Sequence, residues 1–72
     1  GGDGMTIDAE GNVYLATEGV MAFTPDGDLI EQIDLPVRPT NMCFAGPDLK
    51  TLFITARNAV FTVQMQVEGA RR

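Results

Sequence analysis

Ten carboxylates, no histidine and a single cysteine are the chemical resources of this 72-residue chain. Without histidine, no Ser-His-Asp or Cys-His nucleophile can be assembled within it. One cysteine also rules out a conventional zinc site and an internal disulfide. What is left is carboxylate chemistry: oxygen donors for a hard divalent cation, or proton transfer. Asp3 precedes Gly4 just ahead of an apolar run, while Asp8-Ala9-Glu10 and Asp26-Gly27-Asp28 lie between such runs. The last two lack the spacing of an EF-hand loop and are expected to be tight turns. On residue type alone, Asp3 before Gly4 is a turn-former too. Cys43, between Met42 and Phe44, reads as a buried, inert thiol.

The elements that would position these groups are short β-prone runs separated by turn residues. Gly4–Ile7, Val13–Thr17, Gly19–Phe23 and Leu29–Leu35 read as four strands. Pro25 at the second turn position and Gly27 after Asp26 give the chain a physical reason to reverse there. Period-2 alternation, with Val13 and Leu15 against Tyr14 and Ala16, indicates antiparallel pairing. No window sustains the spacing of an amphipathic helix. The methionines Met5, Met21, Met42 and Met65 fall on strands and read as gap-filling core.

Pro36-Val37-Arg38-Pro39 then breaks the chain, and the pattern starts again with Asn41–Ala45, Thr51–Ala56 and Ala59–Met65. Met5-Thr6-Ile7 matches Met42-Cys43-Phe44, Tyr14–Thr17 matches Phe53–Ala56, and Val20 matches Val60, at an offset of about 37 to 40 residues. A four-strand unit at that period is the signature of propeller blades. The expected fold is all-β: about two antiparallel propeller blades, residues 1–35 and 36–72, the second lacking its outer strand. Thr40 and Asn41 take the places in the second unit that Asp3 and Gly4 take in the first. They are either channel-facing substrate contacts or a turn capped by side-chain bonds to backbone after Pro39.

The stretch from Asp3-Gly4-Met5 through Ile7-Asp8, Gly11-Asn12 and Tyr14-Leu15-Ala16 resembles a motif of the SMP-30/gluconolactonase family. Leu35-Pro36, Pro39-Thr40-Asn41, Phe44-Ala45-Gly46-Pro47-Asp48 and Lys50-Thr51-Leu52-Phe53-Ile54-Thr55-Ala56 follow in that family's order. One departure is Gly2, where the family usually has proline before the aspartate. The resemblance implies the C-terminal end of a six-bladed propeller, too short by itself to be the whole enzyme. It implies a sugar-lactone substrate and a divalent metal in the assembled propeller, Ca²⁺ first, with Mg²⁺ or Zn²⁺ as alternatives. By resemblance Asp3 is both a metal ligand and the catalytic acid/base. The family's other ligands have no counterpart in this sequence.

A lactonase inactive as an isolated chain is therefore the first reading. The alternative is a non-catalytic module that closes a ring by self-association, because a lone pair of blades would expose apolar faces. Net charge is −5, and Arg38, Lys50 and Arg57 stand far apart, so nucleic acid is not an expected partner. No apolar run approaches the roughly 20 residues of a membrane helix. No signal-like segment is visible, which leans the expected compartment toward the cytoplasm.

Overall fold

Asp8 and Gly27 show how directly the turn chemistry shapes this chain, whose computed structural model describes residues 4–70. The Asp8 carboxylate accepts the backbone N–H groups of Glu10 and Asn12, and Gly11 takes φ +85° to close the reversal. At the second turn, Gly27 N–H bonds Thr24 O at 2.9 Å and Gly27 sits at φ +95°, a region a side chain rarely tolerates. Both aspartate clusters are thus tight turns.

Among the described residues these turns separate seven strands, and no helix forms. They are β1 (Met5–Ile7), β2 (Val13–Ala16), β3 (Val20–Phe23), β4 (Leu29–Ile33), β5 (Asn41–Ala45), β6 (Thr51–Ala56) and β7 (Ala59–Gln64). One antiparallel sheet has the order β1-β2-β3-β4 and the other β5-β6-β7. The expected all-β architecture is present, four strands and then three. Leu29–Leu35 was expected as one strand, yet β4 stops at Ile33, three residues before Pro36.

The two sheets pack face to face. Tyr14, Ala16, Val20 and Ala22 from the first meet Met42, Leu52 and Ile54 from the second. Burying a Leu or Ile side chain fully is worth about 1.5–3 kcal/mol, and Leu52 and Ile54 are completely buried. In both sheets the second strand turns its even-numbered residues inward, as Thr6↔Tyr14 and Met42↔Ile54 show. The expected matches of Met5 with Met42 and of Tyr14 with Phe53 are therefore one residue out of register. Because strand side chains alternate, that slip exchanges faces. Two expectations fail with it. Cys43 is exposed, since Met42 on the same strand points inward, and Met5 is 55% exposed rather than core.

The second sheet ends at β7, which pairs only with β6 among the described residues. In the first sheet β4 covers β3, and Val20 and Ala22 are buried; without such cover, Phe61 and Val63 of β7 are half-buried. The outward faces of both sheets also carry apolar groups: Met5 and Ile7 on β1, Val60 on β7. Beyond Leu15 and Met21 the first sheet has an open cleft of about 750 Å³. No helix among the described residues is long and apolar enough to cross a membrane.

Candidate functional site

The two inner strands begin at the same end of the molecule. β1 starts after Gly4 and β5 starts at Asn41, and the strands lie side by side there. Gly4 is in direct contact with Asn41: a Cβ on Gly4 would collide with the Asn41 side-chain oxygen and come within 3.0 Å of its Cα. Only glycine allows the two backbones this close. Asp3, which precedes Gly4 in sequence, lies outside the described residues.

Thr40 and Asn41 differ in what they leave free. The Thr40 hydroxyl bonds Thr55 O at 3.1 Å and lies 3.2 Å from the Thr55 hydroxyl; its N–H also donates to Thr55 O, at 2.7 Å. These bonds fasten the start of β5 to the end of β6. The Asn41 Oδ1 accepts the Met42 N–H at 2.8 Å, which fixes which end of the amide is oxygen. The amide nitrogen has no hydrogen bond among the described residues, so an exposed donor stands beside Gly4. Thr40 is thus engaged across the sheet with Thr55, while Asn41 bonds the next backbone N–H and keeps its donor end for another group.

At the opposite end of β1 sits the buried carboxylate of Asp8, 1% exposed. Its Oδ1 accepts Glu10 N–H at 2.9 Å and Asn12 N–H at 3.0 Å. Its Oδ2 accepts the Asn12 amide and the Tyr14 hydroxyl, each at 2.9 Å. Four donors fill the acceptor positions of a carboxylate. Burial alone would raise the Asp8 pKa; the bonds from Asn12, Tyr14 and Glu10 together outweigh it and hold the carboxyl below its ordinary value. Burial first, and then the bond to Asp8, raise the Tyr14 pKa, so its hydroxyl keeps the proton it donates. The turn reading of Asp8 does not anticipate this cluster. Its sequence signal is the Asp8, Asn12, Tyr14 spacing, which places an amide and a phenol within reach of one carboxylate.

A pH dependence follows. With a folded pKa below the unfolded value of about 3.9, Asp8 contributes stability above roughly pH 4 that is lost as pH falls through the folded pKa. Urea midpoints measured from pH 7 down to pH 2 are expected to fall on the acid side, and to fall less steeply in Asp8→Asn. An equal slope in the variant would assign the acid loss to other carboxylates.

A divalent cation of the Ca²⁺ or Mg²⁺ kind takes about six or more oxygen donors. Among the described residues no three Asp, Glu, Cys or His side chains come together. Asp8 has no acceptor position to spare, and the Asn41 oxygen is already engaged. These residues do not fit a metal by themselves.

Residues 1–58 match the model of the SMP-30/Gluconolactonase/LRE-like region. A 6-deoxy-6-sulfogluconolactonase of Pseudomonas putida is 41% identical over 58 residues, covering 75% of this chain and 20% of that protein. Pentonolactonase XacC of Haloferax volcanii is 39% identical over 57 residues, covering 74% and 20%. An X-ray structure of a protein assigned as a gluconolactonase superposes with a TM-score of 0.88 at 30% identity, covering 94% of this chain and 24% of that one. The chain thus spans 20% of the length of these curated relatives.

Proposed function

The chain belongs to the SMP-30/gluconolactonase/LRE-like family, and on that premise we propose that it forms the C-terminal part of a sugar-lactone hydrolase. Residues 1–35 and 36–72 are read as two consecutive blades of a six-bladed propeller. The observation that carries the reading is the sequence match, at 41% and 39% identity, to two proteins named as lactonases. The fold likeness agrees with it.

Lactone hydrolysis adds a water oxygen to the ring carbonyl carbon and breaks the ring C–O bond, giving a hydroxy acid. Asp3 is assigned the proton transfers: it takes a proton from the water and returns one to the leaving ring oxygen. Asn41 is assigned a hydrogen bond from its free amide nitrogen to a substrate oxygen. Thr40 stands beside it as the second contact, through whatever its hydroxyl can offer beyond Thr55. Dependence on a divalent cation, Ca²⁺ before Mg²⁺ or Zn²⁺, is part of the proposal. Asp3 is one donor, and the others come from outside this chain. The isolated chain is therefore inactive in this reading.

The test is a pH-stat assay of the whole protein on five- and six-membered sugar lactones, before and after chelation and Ca²⁺ return. Base uptake that chelation stops and Ca²⁺ restores supports the proposal; uptake equal to the buffer rate on every lactone overturns it. The exposed Met5, Ile7 and Val60 motivate a second reading, a non-catalytic module that closes a ring of its own copies. Native mass spectrometry separates the two: a discrete multiple of the chain mass supports the ring, and a monomer counts against it.

A further inference from the structure

After β7 the chain folds back across the end of both sheets. Met65 N–H bonds Lys50 O at 2.8 Å, and residues 68–70 then run between the two blades. Successive peptides alternate sides, as in any extended segment. Glu68 O accepts Ala9 N–H at 2.8 Å and Ala70 N–H donates to Ile7 O at 2.9 Å, both on the first blade. Gly69 N–H donates to Leu49 O at 2.8 Å, on the second. Gly69 is buried, and a Cβ there would collide with the Phe44 side chain.

The contacts close a circuit. Phe44 packs edge-on against Tyr14, with ring centroids 5.3 Å apart and planes at 86°. Tyr14 donates to Asp8, and Asp8 bridges to Gly69. The circuit thus passes through β2, the first turn, the returning segment and β5. Its single carboxylate shapes the turn that presents Ile7 O and Ala9 N–H to residues 68–70.

We propose that residues 68–70 are a strap that opens and closes as one unit, and that the Asp8 carboxylate is the catch that holds it shut. Opening unpairs Ile7, Ala9 and Leu49 together and uncouples the two blades at this end, while the shared core stays packed. A strap three peptides wide, with an exposed Ala70, belongs to the low-stability end of a structure, where local opening precedes global unfolding. The inference stands on the described residues and does not depend on the lactonase reading.

The experiment is amide hydrogen exchange on the whole protein, followed residue by residue by NMR. Asp8→Asn keeps the shape but replaces one acceptor oxygen with a donor that faces donors. Exchange at Ala9, Gly69 and Ala70 is expected to accelerate together by about 10- to 100-fold, while Leu52 and Ile54 on β6 keep their rates. Tyr14→Phe removes one donor only and is expected to give the same pattern at roughly 10-fold or less. It also covers the case in which Asp8→Asn does not fold. Gly69→Ala attacks the strap from the other side and should reproduce the signature with Asp8 intact. Acceleration of β6 amides in step with the strap, or no change at Gly69 and Ala70 in the folded variants, would overturn the proposal.

Discussion

Asp3→Ala in the whole protein is expected to lower lactone hydrolysis by about 10²–10⁴-fold, the usual worth of a positioned acid/base group, with the thermal midpoint unchanged. The expectation rests on the proposed function, which assigns the proton transfers to Asp3. Gly4, which follows Asp3 in sequence, is in contact with Asn41, the residue the same proposal assigns to a substrate oxygen. Proton transfer is a role in the reaction, whereas the packing between the sheets is carried by residues such as Leu52 and Ile54. That is why the activity and the fold should separate. Asp3→Asn, which keeps the shape and removes the charge, is expected to lose the same activity. If either variant retains turnover near the parent rate in a protein shown to be a lactonase, the role assigned to Asp3 is wrong while the family reading stands.

The largest expected effect on stability is that of Ile54→Ala. Ile54 is completely buried between the sheets, paired with Met42 on one side and Phe61 on the other. Removing its branched side chain leaves a cavity between two sheets that cannot close it without breaking register, a loss of about 2–5 kcal/mol. A folded domain has only about 5–15 kcal/mol in hand, so the variant should unfold at much lower urea concentration. Val60→Ala is the informative partner measurement. Val60 is 63% exposed here, and an outward face left in solvent would make the change worth less than about 0.5 kcal/mol. A cost of about 1 kcal/mol or more in the whole protein would show that another blade covers that face. Urea midpoints of the two variants decide both points.

Much of the fold is legible in the sequence because turn residues act locally. Gly11 and Gly27 hold φ values that side chains resist, and Asp8 and Thr24 bond backbone groups within four residues of themselves. Between such fixed reversals, runs such as Val13–Ala16 and Thr51–Ala56 have little choice but to pair with their neighbours. The candidate site is less legible. Asn41 is visible as a polar residue after Pro39, but its contact with Gly4 spans 37 positions and depends on two sheets meeting at one end. Thr40 looks as free as Asn41 in sequence; its engagement with Thr55 appears only when β5 pairs with β6.

By itself, the sequence determined that this chain is all-β, where the strands among the described residues begin to within one position, which reversals join them and which family it belongs to. Each of these rests on residue types acting over a few positions, or on motifs kept in order. The tertiary structure alone decided which face of each strand is inside. Alternation guarantees that Met42 and Cys43 point opposite ways, yet both are apolar enough for a core. The choice falls on Met42 because Tyr14, Ile54 and Leu52 converge on that side and nothing among the described residues covers the other. The same packing sets Asp8 against Gly69 and leaves Gly69 no room for a side chain beside Phe44. Such facts come from segments far apart in the chain, such as Asp8 and Gly69, packing against one another, and no local preference encodes them.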